Sequence, residues 1–439
     1  MTEVPEVFMR YDIRGYYPEE LNEDFAERLG RSAGTYGKRL VVVGYDTRKS
    51  SIPLKEALIK GILSTGVNVI DLGISTSDKV ALAGNYYKAD FSIIITASHN
   101  PWEMNGFKFF YQRGNGFSNG DMKKIKEIFL DGKFKMSESS GELSDKFGEF
   151  SRIYEERVLL ALKEYMGELR SLNGKKIVVD CANGGASLHL PKLLKKLGAS
   201  VIEVNCSTKP DYSLEPEPEE KNRMYLYEIM KKENADLVVG TDPDADRIFA
   251  FDKNGWISGD ELFAIFAHII KPSKISASLD TSHMLNEVSG ADVVYTRVGD
   301  IFVSRKAIEI GAEFCGEPNG HYAFPKFCWY NSGTFGSLIL AYLQNPSEIR
   351  SKFPTYFVKK HKIKLESQEE KINKMNLIGE KIKQKYEIIS DLDGVKFKIG
   401  NTNALIRPSG TSNVIRAVVE SKNEDESQKA LEEIMRVVE

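Results

Sequence analysis

Three aspartates at alternate positions, Asp242, Asp244 and Asp246, stand in the run GTDPDADRIF, directly after the apolar Leu237 to Val239. Carboxylates this close repel one another unless a cation neutralises them. An all-oxygen ligand set suits a hard ion, Mg²⁺ or Ca²⁺. The register of an EF-hand is absent: position 6 counted from Asp242 is Arg247 and position 12 is Lys253. Ser98 follows a second apolar run, Ile93 to Ile95, in TASHNP. Active sites of open α/β sheets gather beyond the carboxyl ends of strands, so both motifs stand where chemistry is expected. Ser98 has His99 beside it and the cation Lys108 ten residues on, placed to face the same loop. The G-x-S-x-G of serine hydrolases is missing around it. In isolation the segment also reads as a polar turn closed by Pro101.

Two further motifs lie downstream. In CGEPNGHYAF, Glu317 and Asn319 offer a carboxylate and an amide that could grip neighbouring hydroxyls of a sugar, and His321 follows; alone, the stretch reads as a turn with a histidine. In ALIRPSGTSNVIRAVVE, Arg407, Ser409, Gly410, Thr411 and Ser412 form a strand–loop–strand tip. A guanidinium, hydroxyls and exposed backbone N–H groups make a phosphate cradle, although Pro-Ser-Gly also suits a plain hairpin turn. The chain lacks G-x-x-x-x-G-K-[ST], and GNGFSNG (114–120) has the wrong glycine spacing for a dinucleotide fingerprint. That stretch reads instead as a turn and helix cap before Met122.

The elements that must position these loops follow a diverged repeat. Val41 to Val43, a polar loop, a helical stretch Leu54 to Leu63 and TGVNVIDLG make the first copy. Ile177 to Val179, CANGG, Pro191 to Leu197 and LGASVIEVN make the second, and ISASLDTSHMLNEV with SGADVVYTRVG a third. Gly66, Gly198 and Gly290 close the three helices, where positive φ is often required. Strand–loop–helix–Gly–strand is the βαβ rhythm. The spacing predicts three related α/β domains whose sheets are covered by helices. The end of the chain has α+β texture: a Lys/Glu-rich helix Glu366 to Tyr386, strands at Val395 to Ile399, Ala404 to Ile406 and Val414 to Val419, and a helix Asp425 to Val438. The expected domains are 1–145, 146–252, 253–348 and 349–439, with boundaries in polar stretches.

Length and composition bound the rest. A chain of 439 residues allows about three or four domains. Sixty basic against 63 acidic residues give a net charge of −3, so bulk charge offers no reason to bind nucleic acid or a membrane surface. No apolar stretch approaches the roughly 20 residues of a membrane span, and MTEVPEVFMRYDIRG lacks a signal pattern. Cys181, Cys206, Cys315 and Cys328 are scattered, with no CxxC. They read as buried reduced thiols, and the expected compartment is the cytoplasm.

In this order the four loops resemble the α-D-phosphohexomutase family, the phosphoglucomutases and phosphomannomutases. The resemblance runs from Tyr11-Asp12-Ile13-Arg14-Gly15, through TASHNP with NGFK, DPDADR and Val298-Gly299-Asp300, to the Arg407 loop. It implies four domains around a central cleft, each giving one loop. It implies that Ser98 carries a phosphoryl group, and that Asp242, Asp244 and Asp246 bind Mg²⁺ with the Ser98 phosphate as a further ligand. Arg14 and Arg247 would stabilise phosphoryl charge, and Lys108 and His321 would be acid/base candidates. Glu317, with Asn319, would hold sugar hydroxyls; Arg407, Ser409, Gly410 and Thr411 would hold the distal phosphate. The implied reaction interconverts hexose 1-phosphate and hexose 6-phosphate, of glucose and/or mannose, through a hexose 1,6-bisphosphate that also serves as primer. The alternatives are a phosphoglucosamine mutase of the same family and a metal-dependent sugar phosphatase. Pro318-Asn319 stands where many members have a serine before the second glycine, a departure that bears on the sugar. The partner implied is a hexose phosphate, with no nucleic acid and no membrane; a homo-oligomer is left open.

Overall fold

The apolar runs between the polar motifs become buried strands, and the glycine-ended stretches become helices. The computed structural model describes residues 7–209, 211–343, 345–409 and 413–438. The first segment runs β1 (Asp12–Tyr16), α1 (Glu23–Tyr36), β2 (Leu40–Tyr45), α2 (Ser51–Leu63), β3 (Asn68–Ile74), α3 (Ser77–Tyr86), β4 (Phe91–Ile95), β5 (Met104–Tyr111), α4 (Asn119–Asp131) and β6 (Leu143–Asp145). Its sheet has the order β1-β5-β4-β2-β3-β6. β2 is parallel to β3 and β4, while β5 runs antiparallel to both β4 and β1. β4, FSIII, is buried at every position, as a central strand covered on both faces must be. The turn before Met122 is capped as its sequence suggests: Ser118 accepts a hydrogen bond from the Asp121 N–H at the start of α4.

The second segment runs α5 (Phe147–Met166), β7 (Lys176–Asp180), α6 (Leu190–Lys196), β8 (Ser200–Val204), α7 (Glu220–Lys232), β9 (Leu237–Thr241), β10 (Ile248–Asp252) and β11 (Gly255–Ile257). Its sheet order is β11-β10-β9-β7-β8, and the turn at 252–255 joins β10 to β11 within it. The third runs α8 (Gly259–Ile270), β12 (Lys274–Ser278), α9 (Met284–Ser289), β13 (Asp292–Thr296), α10 (Asp300–Ile310), β14 (Phe314–Gly316), β15 (Tyr322–Phe324), β16 (Cys328–Asn331), α11 (Gly333–Tyr342) and α12 (Pro346–Arg350). β12 is parallel to β13, and β15 is antiparallel to β16. The fourth runs β17 (Phe357–Lys364), α13 (Gln368–Lys385), β18 (Glu387–Ser390), β19 (Val395–Ile399), β20 (Thr402–Pro408), β21 (Val414–Ser421) and α14 (Glu424–Val438). Its sheet is antiparallel in the order β17-β21-β20-β19-β18.

The architecture is thus four domains: three α/β domains with mixed sheets and a C-terminal α+β domain whose sheet is antiparallel. Contacts divide the chain into two compact units. One holds residues up to Gly259 with 313–315 and 319–347; the other holds 260–312, 316–318 and the chain from Glu348 onward. The first unit's core includes Val41, Ile93, Phe107 and Phe109, and the second unit's includes Ile378, Phe397, Ile406 and Val419. The helix-closing glycines Gly66, Gly198 and Gly290 have φ of +80°, +102° and +62°. Lys108 departs from the sequence reading: it lies inside β5, facing Ile94 of β4 in register, and not in a loop with Ser98. Among the described residues no helix is long and apolar enough to cross a membrane.

Candidate active site

Ser98 leaves the end of β4 in a left-handed conformation, φ +53°. A non-glycine residue there is uncommon and held by its surroundings. Below it, Arg48 is buried, and its guanidinium donates to the carbonyls of Ser98, Asn100, Pro101 and Met104 at 2.5 to 3.0 Å. Arg48 Nε in turn lies 3.1 Å from Asp46 Oδ2. The same Asp46 accepts from Ser51 Oγ at 2.6 Å and Thr96 Oγ1 at 2.7 Å. A buried arginine with every donor direction used fixes the turn that carries Ser98. Sequence reading passed over Arg48, yet it stands directly after β2 in YDTR, the same kind of position that singled out Ser98.

Ser98 Oγ donates to Asp242 Oδ2 at 2.8 Å and lies 3.2 Å from His99 Nδ1. Ligand oxygens of Asp242, Asp244 and Asp246 lie within 4.8 Å of one another, all three residues buried. Lys108 Nζ bridges Asp244 Oδ2 and Asp246 Oδ2, at 2.7 Å from each. Ser77, at the start of α3, holds the metal loop on its other side: its N–H donates to the Asp244 carbonyl at 2.8 Å and its Oγ to Asp244 Oδ2 at 2.7 Å. Asp244 Oδ1 is buried with no hydrogen-bond partner among the described residues. An orphaned carboxylate oxygen is costly unless something cationic meets it. Burial, and then the charges of Asp244 and Asp246, push the Asp242 carboxyl well above its usual range. Burial acts the same way on Asp246, but Lys108 and His321 outweigh it and hold that carboxyl well below. The donor set and the open oxygen fit a hard divalent ion.

Arg247 lies beside the triad. Its N–H donates to Asp242 Oδ1 at 3.1 Å, its Nη1 pairs with Glu217 Oε1 at 2.9 Å, and its Nε lies 3.2 Å from His321 Nε2. His321 Nε2 is also 3.2 Å from Asp246 Oδ1. A neutral ring accepts from Arg247 through Nε2, whereas a protonated one donates to Asp246 through the same atom. An antiparallel bridge between Arg247 and His321 sets this pairing. His99 Nε2 lies 3.1 Å from Glu217 Oε2, a carboxylate that its Pro/Glu-rich loop gave no reason to single out. Burial, Arg247 and Arg14 push the His99 imidazole far below its usual range, so it is neutral. Arg14 stands on β1 with Nε 2.8 Å from Asp12 Oδ2. Ser98, the three aspartates, Lys108, Arg14, Arg247 and His321 all belong to the first compact unit.

Asn319, in the same unit, is exposed, and its Oδ1 accepts from the His321 N–H at 3.2 Å, closing the turn before that histidine. In the second unit, Glu317 is buried and its Oε1 accepts from the Gly299 N–H at 2.6 Å. Arg407, at the end of β20, has Asp280 Oδ2 at 3.6 Å and Asp393 Oδ2 at 3.8 Å. Ser409 is tied by its N–H to the Val414 carbonyl at 2.7 Å, and its own carbonyl accepts from Lys371 Nζ at 2.8 Å. Gly410, Thr411 and Ser412 lie outside the described residues.

Four family models match in chain order. They are phosphoglucomutase/phosphomannomutase alpha/beta/alpha domain I at residues 5–136, domain II at 161–255, domain III at 258–353, and the C-terminal domain at 358–437. The chain belongs to the phosphoglucomutase/phosphomannomutase family. Like the family's members it is a phosphomutase, an isomerase that works by phosphoryl transfer. It is 33% identical to a phosphoglucomutase/phosphomannomutase of Thermococcus kodakarensis, over 97% of each chain. It is 32% identical to a probable phosphoglucosamine mutase of Methanopyrus kandleri, over 97% of this chain and 96% of that one. Its fold matches the crystal structure of a phosphoglucomutase/phosphomannomutase family protein from Burkholderia thailandensis, with a TM-score of 0.86, 24% identity, and coverage of 98% of this chain and 96% of that one.

Proposed function

We propose that this phosphomutase interconverts hexose 1-phosphates and hexose 6-phosphates of glucose and mannose, with Ser98 as phosphoryl carrier. The observation that carries the reading is Ser98 Oγ in a strained turn, 2.8 Å from a buried carboxylate triad with one open oxygen. Asp242, Asp244 and Asp246 would hold Mg²⁺, which when bound neutralises charge on a transferring phosphoryl group. The chain's own residues do the rest. Phosphoryl transfer needs in-line placement and charge stabilisation above all. Arg247 and Arg14 supply fixed positive charge toward the phosphoryl oxygens. In the first half-reaction the Ser98 Oγ–P bond breaks, O6 of the hexose 1-phosphate gains the phosphoryl, and the O6 proton passes by way of the site's acid/base groups to the freed Ser98 Oγ. The resulting 1,6-bisphosphate turns over, and its O1 phosphoryl passes to Ser98. As Oγ takes it up, the hydroxyl proton has an acceptor at hand in Asp242 Oδ2 at 2.8 Å. Lys108, held as an ammonium by Asp244 and Asp246 against the effect of burial, is a poor base in this state. His321 is the better acid/base candidate, since its Nε2 can accept or donate in place.

Glu317 and Asn319 are assigned to the sugar hydroxyls at C3 and C4, and Arg407, Ser409, Gly410 and Thr411 to the phosphate that does not react. Hydroxyls 3 and 4 have the same configuration in glucose and mannose, so a grip confined to them does not read C2. The name of the Methanopyrus kandleri relative, a probable phosphoglucosamine mutase, favours a second reading, glucosamine 1-phosphate as substrate, which also differs only at C2. A coupled assay with glucose, mannose and glucosamine 1-phosphates, with and without a hexose 1,6-bisphosphate primer, separates the two. Turnover of the first two supports the proposal. Turnover of glucosamine 1-phosphate alone establishes the second reading, and release of inorganic phosphate in place of an isomer rejects both.

A further inference from the structure

Two cysteines from neighbouring loops meet behind the metal loop. Cys181 follows β7 and Cys206 follows β8, strands that pair in parallel. Cys206 Sγ lies 3.3 Å from Cys181 Sγ, and also 3.4 Å from the Val179 carbonyl and 3.3 Å from that of Val204. Cys181 is buried and Cys206 half-buried, and neither is in a disulfide. The two loops are laced together, with Asn183 N–H donating to the Asn205 carbonyl at 2.6 Å and Ser207 N–H to Asn183 Oδ1 at 3.2 Å.

The Cys181 loop is also the floor of the metal loop. Ala182 and Asn183 are left-handed, with φ +47° and +53°. A Cβ on Gly184 would collide with the Pro243 carbonyl, and the Gly185 N–H donates to that carbonyl at 2.9 Å. Pro243 stands between Asp242 and Asp244. A sulfur–sulfur bond is about 2.05 Å long, so closing the 3.3 Å gap pulls on two loops of which one carries the Gly185 contact to Pro243.

We propose that Cys181 and Cys206 form an oxidation site, at which a hydroperoxide closes a disulfide that displaces the 181–185 loop and weakens metal binding by the triad. The more accessible Cys206 reacts first. Its sulfur attacks one peroxide oxygen, the O–O bond breaks, Cys206 becomes a sulfenic acid, and the departing hydroxide leaves as water with the thiol's proton. Cys181 sulfur then displaces the sulfenic hydroxyl, which departs as a second water with the Cys181 proton. Two thiols are oxidised and one peroxide is reduced.

The second half of this proposal rests on the triad as a metal site; the first half does not. The test treats the intact protein with hydrogen peroxide, blocks free thiols with an alkylating agent, and maps the peptides by mass spectrometry. Mn²⁺ binding is followed by electron paramagnetic resonance before oxidation, after it, and after dithiothreitol. The expected result is one cross-linked peptide pair, Cys181 with Cys206, lost in Cys206→Ser, and Mn²⁺ affinity several-fold weaker when oxidised and restored on reduction. The wild-type map needs no variant to fold. Cys206 oxidised without a link to Cys181, or other cysteines linked in preference, would overturn the site. The expected link with unchanged Mn²⁺ affinity would overturn the coupling. Failure of the reduced protein to bind Mn²⁺ would overturn the metal reading and the coupling with it, while the peptide map still decides the oxidation site.

Discussion

Asp244 is the aspartate whose two oxygens are treated most differently. Oδ2 is taken by Ser77 and Lys108, and Oδ1 has no partner among the described residues. Asp244→Asn keeps the shape and removes the charge. It should lower kcat by orders of magnitude and weaken Mn²⁺ binding at least tenfold, measured by steady-state assay and by titration. Arg407→Ala removes a charge-assisted contact worth about 1.5–3 kcal/mol. It should raise KM for hexose phosphates at least tenfold; an unchanged KM would contradict its assignment. At this scale the sequence was legible in residue type and order: Ser98 and the three aspartates, singled out in separate motifs, meet in the structure. It was opaque where a residue acts through folded geometry. Ser77 touches Asp244 across 167 positions and Glu217 pairs with Arg247 across 30, and nothing local announces either.

At the scale of elements, the turn after β4 is held from below by one side chain. Arg48→Ala leaves the carbonyls of Ser98, Asn100, Pro101 and Met104 short of a donor and Asp46 without its buried partner. Breaking such a pair costs about 3–5 kcal/mol, so the unfolding midpoint should drop sharply in a thermal melt, and Arg48→Lys should recover little of it because an ammonium cannot replace the fork. A second joint connects α3, α5 and the start of α6. Lys79 Nζ lies 3.2 Å from His189 Nε2, and His189 Nδ1 lies 3.2 Å from Glu155 Oε1. Lys192 also pairs with Glu155, and Asp78 is held by Tyr154 at 2.9 Å. Burial, with help from the charge of Lys79 and against Glu155, pushes the His189 imidazole down to about 4. An unfolded histidine titrates near about 6.5. Between those values the unfolded chain binds a proton that the folded chain does not, so stability falls as pH drops from about 6.5 to 4. His189→Gln should remove that slope, at most about 1.4 kcal/mol per pH unit, and comparing the two melts across the window checks it. The repeat and its closing glycines made most elements legible, but not the one that carries Lys108, a residue read as sharing the Ser98 loop. It lies in β5, whose apolar residues were hidden by the Asn-Gly and Lys among them.

For the whole molecule, the order of four loops along the chain carried more than any one loop, because each alone also reads as a turn. Family and architecture were therefore legible early, whereas the sugar was not. The residues assigned to it, Glu317 and Asn319, are engaged in the structure by backbone N–H groups, and neither contact distinguishes one sugar from another. If only the hydroxyls at C3 and C4 are read, kcat/KM for glucose and mannose 1-phosphates should agree within roughly a factor of 100, the size of a modest pocket effect. A larger preference in a coupled assay would mean that another residue reads C2.

The central claim is that Ser98 carries the phosphoryl group between the two ends of the sugar. Its most direct test is to incubate the protein with a hexose 1,6-bisphosphate bearing labelled phosphates, locate the label by peptide mass spectrometry, and chase it with unlabelled hexose 1-phosphate. The expected result is label on Ser98, none in Ser98→Ala, and its transfer during the chase into the hexose bisphosphate and monophosphate pool. Label on another residue of active enzyme, or label leaving Ser98 only as inorganic phosphate, would contradict it.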